Sequence, residues 1–177
     1  GRSAALAEAA LHGRELLDGR TVWNVNSTAS GGGVAEMLQA LLAYSRGAGV
    51  DARWLVLEGD SDFFVLTKRI HNNLHGDGGD GGELGGRERE LYDGTLADSA
   101  RHLAPLLEEG DIVLLHDPQT AGLASAVREA GARVIWRCHI GADNPGELTR
   151  RAWEFLAPYV GAADAYVFSR RAYVWDV

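Results

Sequence analysis

The sequence predicts an α/β fold, a Rossmann-like three-layer domain in which a mostly parallel sheet lies between helices. Two observations predict it. Short apolar runs bounded by turn residues recur along the chain, and helix-length segments separate them. The runs are almost continuously apolar rather than strictly alternating, as strands covered on both faces require. With 177 residues, of which 46% are hydrophobic and 24% charged, the composition is that of an ordinary globular domain.

Five apolar runs are predicted as strands. They are Thr21 to Asn26, Ala52 to Glu58, Asp111 to His116, Arg133 to Cys138 and Asp164 to Ser169. Because the carboxyl ends of parallel strands meet at one edge of a sheet, we expect the polar residues that follow these strands to share a crevice.

Helices are predicted where apolar residues recur at three- and four-residue spacing. The segments between strands are Val34 to Ala48, Asp62 to Leu74, Arg87 to Leu107 with Gly94 as a weak point, Thr120 to Ala130 and Pro145 to Tyr159. Residues 1–20 are expected to form an amphipathic helical extension packed outside the sheet. Residues 21–177 then form the Rossmann-like domain.

The segment from Gly76 to Gly86, GDGGDGGELGG, has almost no side chain that can bury apolar area. We expect it to be mobile or to order only on binding a ligand. A calcium-binding glycine-rich repeat is the alternative, because Asp77, Asp80 and Glu83 supply oxygen atoms, although one unrepeated copy cannot stack as such repeats do.

Charge and composition exclude several classes of partner and location. Seventeen basic and 25 acidic residues give a net charge of -8, the wrong sign for binding nucleic acid through its phosphates. No apolar stretch is long enough for a membrane helix, and charged residues interrupt the region where a signal peptide needs an apolar core. The one cysteine, Cys138, forms no internal disulfide and no cysteine metal cluster. These features indicate a cytoplasmic protein.

The most informative loop is NSTASGGG, which joins the first strand to its helix. Its glycines, Gly31, Gly32 and Gly33, let the backbone approach a ligand, and the amides that open the helix favour an anion. Ser27 lies in the same loop, so we expect an anionic or polyhydroxyl group there. The loop matches neither the dinucleotide motif GxGxxG nor the phosphate-binding motif GxxxxGK[ST]. A tight turn without a ligand remains the alternative.

Two histidines, His116 and His139, each lie at the end of a predicted strand, and Asp117 follows the first. Since parallel strands end at a common edge, we interpret both histidines as site residues, with His139 the better catalytic candidate. A structural histidine is the alternative at each position. Their separation in sequence argues against a zinc site.

Two further sets of polar residues are weaker candidates. Arg137 points away from Trp136 and Cys138 by strand alternation, and it needs a partner, either a carboxylate such as Asp117 or a ligand. One face of a predicted helix carries Lys68, His71, Asn72 and His75, for which a solvated surface is the alternative.

Four separated stretches, in the order VWNVNSTASGGGVAEML, FFVLTKRIHNNLHG, LLHDPQTAGL and WRCHIGADNP, resemble one known family. They are similar to the amino-terminal domain of the nucleotide-sugar-dependent trehalose synthases, a branch of the retaining family-4 glycosyltransferases. The resemblance extends from about Thr21 to the end of the chain.

The resemblance implies a GT-B architecture, with two Rossmann-like halves and an active site in the cleft between them. The amino-terminal half binds the acceptor sugar. By position in the matching motifs, the glycine loop approaches the donor diphosphate, His139 lies beside the reacting sugar, and Lys68, His71 and Asn72 face the acceptor. The substrates would be glucose and a nucleotide sugar such as ADP-glucose or UDP-glucose, with no further cofactor and no metal.

The resemblance also implies a missing part. The family's Arg/Lys pair that grips the nucleotide and its spaced glutamates belong to a carboxyl-terminal domain, whose motifs are absent from these 177 residues. The chain also stops just after a strand, at Arg170 to Val177, which suggests an excised domain or a truncated product. We therefore expect this chain alone to be inactive. A family-4 enzyme with another acceptor and a non-enzymatic sugar-binding or sugar-phosphate-binding module both remain open, as does a homo-oligomer.

Overall fold

Five parallel strands form the centre of the structure, a computed structural model that describes residues 2–175. They are β1 (Thr21–Asn26), β2 (Asp51–Val56), β3 (Ile112–His116), β4 (Arg133–Cys138) and β5 (Ala165–Phe168). All five predicted strands are present, and the parallel Rossmann-like fold class is confirmed.

The strand order is β2-β1-β3-β4-β5, so the chain reverses its direction across the sheet between β1 and β3. It moves from β1 outward to β2 and then returns past β1 to reach β3. In the register of the pairs, Asn24 of β1 lies beside Leu114, and His116 of β3 lies beside Arg137 of β4. Open α/β sheets bind ligands at such a reversal, outside the carboxyl ends of the strands.

The helices within the described residues follow the predicted order. They are α1 (Arg2–Leu16), α2 (Gly33–Gly47), α3 (Ser61–His75), α4 (Gly86–Leu103), α5 (Asp117–Thr120), α6 (Ala124–Glu129) and α7 (Glu147–Val160). In this part of the chain, no helix combines the length and the apolar character needed to span a membrane.

The two faces of the sheet are covered unequally. The covered face carries the larger core, in which α3, α4, α6 and α7 pack on the strands. On the opposite face, which we call the open face, α2 packs with Leu38 and Leu42 against Ala52 of β2. Because strand residues alternate between faces, Trp136 and Cys138 lie in the large core while Arg137 lies on the open face, as predicted.

Two of the predicted helices differ in detail. The segment predicted as one helix from Thr120 to Ala130 is divided into α5, a 3₁₀ turn (Ala121–Leu123) and α6. Gly122 lies in the turn, where its N–H donates to the Tyr92 hydroxyl at 3.1 Å and an added Cβ would stand 2.6 Å from Leu96. Helix α4 runs through Gly94 but ends at Leu103, and the chain tightens into a 3₁₀ turn (Ala104–Leu106) that contains a proline.

The amino-terminal extension is helical, but the prediction that it is amphipathic is wrong. Leu11 and Leu16 are each 62% exposed, and no described side chain of α1 is buried. Alanines at 4, 5, 9 and 10 distribute apolar side chains around the helix, so α1 has no continuous stripe to pack against the sheet.

The glycine-rich segment has a defined path that the chain itself holds. Both carboxylate oxygens of Asp80 accept hydrogen bonds from the Arg69 guanidinium at 2.8 Å, and Arg69 also donates to the carbonyl of Glu83 at 2.7 Å. The Arg69 guanidinium lowers the pKa of Asp80 to about 2. The expectation that the loop is mobile, or orders only on binding, did not take Arg69 into account. Of the three carboxylates considered for calcium, Asp80 is the one that Arg69 engages.

Candidate functional site

Two histidines, one buried and one half-buried, form a pair at the carboxyl edge of the sheet. Nδ1 of His116 stands 3.1 Å from Nε2 of His139, and Nε2 of His116 stands 3.1 Å from Oδ1 of Asn24. His116 is 1% exposed and Asn24 3%, whereas His139 is half-buried. The three hydrogen-bonded side chains therefore extend from β1 across β3 to the residue after β4. His139, the outer one, is the side chain that a ligand can reach.

The hydrogen bonds assign the proton on each ring. The oxygen of Asn24 can only accept, so His116 donates through Nε2 and its Nδ1 is an acceptor in the neutral ring. His139 then donates to that acceptor through Nε2, which leaves its own Nδ1 with a free lone pair. The hydroxyl of Ser169, just after β5, lies 3.5 Å from this Nδ1. His139 thus faces the site as a neutral hydrogen-bond acceptor.

Burial keeps both histidines uncharged. Loss of solvation, followed by the positive charges of His139 and Arg137, lowers the pKa of His116 to about 3. Loss of solvation and then the charge of Arg137 lower the pKa of His139 to about 4. At neutral pH the pair can accept and relay hydrogen bonds without carrying an imidazolium.

Asp117 braces the backbone beside the histidines. Its Oδ1 accepts from the His139 N–H at 2.7 Å, and its carbonyl accepts from the indole N–H of Trp136 at 3.1 Å. The residue has a φ of 63°, a left-handed conformation that aspartate tolerates better than most residues. Burial raises the pKa of the carboxyl to about 7, against the lowering effects of the His139 N–H and of Arg137.

The glycine loop leaves the same strand that carries Asn24. Gly31 has φ 69° and Gly32, the residue before α2, has φ 151°, so both occupy backbone conformations that favour glycine. A Cβ on Gly31 or Gly33 would meet nothing within 4 Å, so the loop opens to solvent. The Asn26 amide donates to the Thr28 carbonyl at 2.8 Å and fixes the base of the loop, in which Ser27 is partly exposed.

Arg137 does not form the ion pair that the sequence suggested. Within residues 2–175 no salt bridge joins it to Asp117, and its buried Nε has no hydrogen-bond partner there. Its charge nevertheless influences His116, His139 and Asp117, as their pKa values record. Of the two kinds of partner expected for Arg137, a carboxylate and a ligand, the ligand is the one that the structure leaves to be tested.

The predicted face of α3 is divided between two environments. Lys68 and Asn72 line a groove of about 520 Å³ together with Phe64, Val65 and Asp80. His71 turns away from that groove and lies against His75, with 5.0 Å between the ring centroids. Burial, then Lys68 and His75, lowers the pKa of His71 to about 4. Across the described residues no hydrogen bond joins these side chains to the His116–His139 pair.

The segment after β5 holds the loop that begins with His139. Arg170 pairs with Asp143 at 2.9 Å, Tyr173 packs so closely on Gly141 that an added Cβ would stand 2.4 Å away, and Trp175 stacks on Trp153 at 5.9 Å. From the sequence, Arg170 to Val177 was described only as the segment that follows a strand, and these contacts were not predicted. Its last two residues lie outside the described part of the chain.

Sequence reasoning missed Asn24, Asn26 and Ser169. Asn24 and Asn26 are polar side chains inside an almost wholly buried strand, and buried amides need partners, so TVWNVN carried a usable signal. Ser169 carried none, since a serine after an edge strand is common. Among the described residues, no three metal-ligating side chains are grouped to hold a metal ion.

Comparison with known proteins identifies relatives of this chain. A family profile for the amino-terminal domain of trehalose synthase matches residues 24–175. This chain belongs to the trehalose synthase family. The resemblance carried by the four sequence motifs is therefore confirmed. The match includes the glycine loop, the α3 face and both histidines.

Individual members of the trehalose synthase family are similar along most of the chain. The trehalose synthase of Pyrococcus horikoshii is 40% identical over 160 residues, which cover 90% of this chain and 37% of that protein. The trehalose synthase of Rubrobacter xylanophilus is 40% identical over 163 residues, covering 89% and 37%. The chain thus spans little more than a third of the trehalose synthases it matches.

Two further comparisons are more distant. A trehalose phosphorylase of Pleurotus pulmonarius is 29% identical over 154 residues, 80% of this chain and 21% of that protein. The solved amino-terminal domain of Candida albicans trehalose-6-phosphate phosphatase superposes with a TM-score of 0.53 at 12% identity, covering 86% of this chain and 41% of that one. The second likeness shows a shared fold.

Proposed function

We propose that this chain is the amino-terminal, acceptor-binding half of a retaining family-4 glycosyltransferase of GT-B architecture. The full enzyme forms trehalose from glucose and a nucleotide sugar such as ADP-glucose or UDP-glucose, in the cytoplasm and without a further cofactor. Membership of the trehalose synthase family supports the assignment. The observation that carries it is the neutral chain Asn24–His116–His139, which runs from the reversal between β1 and β3 to the end of β4 and leaves Nδ1 of His139 as a hydrogen-bond acceptor beside the Ser169 hydroxyl.

In this proposal the two polar parts of the edge hold different substrates. The loop Gly31–Gly33 and the first amides of α2 approach the donor diphosphate, where backbone N–H groups and the helix dipole stabilise negative charge. Nδ1 of His139 accepts a hydrogen bond from a hydroxyl of the reacting sugar and orients it. Ser27 and Arg137 border this space. Lys68 and Asn72 face the acceptor side through the groove that they line, whereas His71 packs against His75 outside that groove.

The reaction is a front-side displacement with retention. The bond between C1 of the donor glucose and the diphosphate oxygen breaks, and a bond from C1 to the acceptor hydroxyl oxygen forms on the same face. The hydroxyl proton passes to the departing diphosphate, whose charge the backbone amides stabilise. His139 takes no proton in this step. Its neutral ring accepts a hydrogen bond from a sugar hydroxyl that does not react, which an imidazolium could not do.

The second half of the proposed site lies on a carboxyl-terminal domain that residues 1–177 do not contain. We therefore expect no turnover from this chain alone. The trehalose synthases it matches are about two and a half times as long as this chain, which leaves room for a second domain.

The test is the activity of the full-length protein with glucose and either nucleotide sugar, monitored as formation of a non-reducing disaccharide. His139→Ala should lower turnover by on the order of 10²-fold while the protein remains folded, because the imidazole nitrogen that orients the sugar hydroxyl is lost. The matched control is His102→Ala, which removes an exposed histidine from the last turn of α4. Absence of disaccharide with every donor contradicts the proposal, and wild-type rates in His139→Ala contradict the site.

A second candidate is suggested by the trehalose phosphorylase relatives. Here the glycine loop would receive inorganic phosphate rather than a nucleoside diphosphate. Full-length protein incubated with trehalose and phosphate would then release glucose and a glucose phosphate without any nucleotide. Phosphate-dependent cleavage combined with no activity on nucleotide sugars would favour this candidate over the first.

A further inference from the structure

A tyrosine of the covered face is inserted into the helix that begins at the histidine site. Helix α5 starts at Asp117, and a continuous helix would join the Pro118 carbonyl to the Gly122 N–H four residues later. The Tyr92 hydroxyl of α4 lies between these two groups instead. It donates to the Pro118 carbonyl and accepts from the Gly122 N–H at 3.1 Å. A side chain inserted in this way opens a helix, and the chain here forms the 3₁₀ turn that precedes α6.

Burial fixes the tyrosine in this position. Tyr92 is 0% exposed, and its ring centroid lies 5.8 Å from that of Phe63 in α3 and 5.5 Å from that of Phe155 in α7. Burial also raises the pKa of its hydroxyl, so the proton stays on the oxygen and is donated to the carbonyl. The packing of α3, α4 and α7 therefore sets where the turn lies.

The same turn holds the backbone of the two histidines. Asp117 has a φ of 63° although the residue before a proline is normally extended, and such a conformation persists only when its surroundings support it. Its Oδ1 accepts from the His139 N–H at 2.7 Å. Thr120 donates through its hydroxyl to the His116 carbonyl at 2.9 Å. A shift of the turn would consequently move the acceptor of the His139 N–H.

We propose that Tyr92 is a positioning residue of the histidine site: its hydroxyl, inserted into the turn, keeps the Asp117 side chain where it holds His139. Tyr92 acts through the turn and does not itself contact substrate. Without the hydroxyl, the Pro118 carbonyl and the Gly122 N–H are free to bond to each other, which would draw α5 and α6 into one helix and displace Asp117. The effect on turnover rests on the proposed function, whereas the effect on the His139 backbone does not.

The first test is nitrogen-15 NMR of the His139 amide in the 177-residue chain. Tyr92→Phe removes the hydroxyl and keeps the ring. We expect the His139 amide proton to move upfield and to exchange faster by on the order of tenfold, because its hydrogen bond to Asp117 lengthens. An unchanged His139 amide in folded Tyr92→Phe overturns the proposal.

Tyr159→Phe is the matched control for this measurement. It removes a hydroxyl from the same aromatic cluster, since the ring centroids of Tyr159 and Tyr92 lie 4.9 Å apart. Its hydroxyl, however, donates to Asp93, an exposed residue of α4, and not to the turn. The His139 amide should keep its parent shift and exchange rate in this variant. An equal change in both variants overturns the proposal.

Turnover of the full-length protein separates positioning from a purely structural role. At a temperature where every variant is folded, we expect Tyr92→Phe to lower kcat by on the order of tenfold with KM values within about twofold, since a displaced His139 still contacts the sugar but orients it less well. Tyr159→Phe should keep the parent kcat. Equal kcat values in the two variants overturn the role. If the parent forms no disaccharide, the proposed function fails and the amide measurement alone decides this inference.

Thr120→Val is the second variant, for use if Tyr92→Phe does not fold. It has a similar shape but removes the hydroxyl that donates to the His116 carbonyl, so the same turn loses a hydrogen bond. The proposal then requires the same upfield shift and faster exchange of the His139 amide. An unchanged amide in Thr120→Val would show that the turn does not position His139 and overturns the proposal.

Discussion

The two faces of the sheet differ in what they contain and in what they do. The covered face buries Val25, Val113, Leu115, Val134 and Trp136 under four helices. The open face, built from the residues that alternate with these, carries the buried amides of β1, His116 and Arg137 at its carboxyl end and exposed aliphatic residues beyond. The same strands thus bury the main core on one face and carry the polar groups of the candidate site on the other.

The cause of this difference is the order of the strands. The connection from β1 to β2 places α2 on the open face, whereas the connections to β3, β4 and β5 place their helices on the covered face. The covered face consequently has no room for a substrate. The polar groups of the candidate site lie on the open face, next to the reversal between β1 and β3.

The largest expected effect comes from the covered face. Trp136→Ala removes a side chain that is 0% exposed and whose indole N–H donates to the Asp117 carbonyl. Loss of a buried aromatic should lower the free energy of unfolding by about 3–5 kcal/mol, measured by urea denaturation. Trp136→Phe, which keeps most of the packing, should cost clearly less. A cost below about 1 kcal/mol for the alanine variant would contradict the assignment of the core to this face.

A smaller effect is expected from the polar end of the open face. Asn24→Leu keeps a similar volume but leaves the His116 Nε2–H buried without an acceptor, which should cost about 1–3 kcal/mol. Nitrogen-15 NMR of labelled histidines should show His116 and His139 as Nε2–H tautomers in the parent chain and a changed tautomer population in the variant.

Asn24→Asp is the informative companion to that variant. It keeps the acceptor but adds a negative charge, so it should raise the pKa of His116, visible in the same spectra as a titration at higher pH. Unchanged tautomers in Asn24→Leu, or an unchanged pKa in Asn24→Asp, would show that Asn24 does not position the pair.

Much of the fold was predictable because strand character is local. The five apolar runs and their order follow from composition and periodicity, and His116 and His139 could be brought to one edge from parallel topology alone. The sequence also indicated that Arg137 opposes Trp136. What could not be read was the partner of each polar group, because Asn24 contacts His116 across 92 residues and Arg69 reaches Asp80 through a loop.

The errors have similar causes. The break between α5 and α6 depends on Tyr92 and Leu96, which belong to another helix and crowd Gly122. The amphipathic character expected for α1 came from its alanines and leucines, which do not lie on one side. Separation of His71 from Lys68 and Asn72 depends on its packing against His75. The break at Gly122 and the position of His71 are decided by three-dimensional neighbours, whereas the character of α1 follows from the spacing of its own residues.

The histidines and Asp117 should make the free energy of unfolding depend on pH in opposite directions. The pKa values of His116 and His139 are lowered, so their stabilising contribution is present above pH 6.5. It is lost as the pH falls towards about 3 for His116 and about 4 for His139. Asp117, whose pKa is raised to about 7, acts in the opposite sense: its contribution is present below pH 3.8 and is lost as the pH rises through 7.

Asp117→Asn removes the opposing group while it keeps an acceptor and tolerance for the left-handed backbone. Between pH 4 and 6.5 the free energy of unfolding of this variant should rise with pH more steeply than that of the parent, by up to about 1.4 kcal/mol per pH unit. Parallel stability curves for the two proteins would contradict a protonated, buried Asp117.

The smallest expected effect comes from Ile135, a strand residue on the open face. Ile135→Ala removes a side chain that is already partly exposed, so in the 177-residue chain it should cost about 1 kcal/mol, well below Trp136→Ala in the same strand. Urea denaturation of both variants makes the comparison. Equal costs would mean that the two faces are packed alike.

The most direct test of the account is whether the glycine loop and the outer histidine form one site. Labelled 177-residue chain would be titrated with ADP-glucose, UDP-glucose and trehalose, while NMR follows the amides of Gly31 to Gly33 and the imidazole of His139. The account predicts that at least one ligand shifts both sets of resonances together, with one dissociation constant. Saturating binding that shifts the loop amides and leaves the His139 ring unaffected, or the reverse, would contradict it.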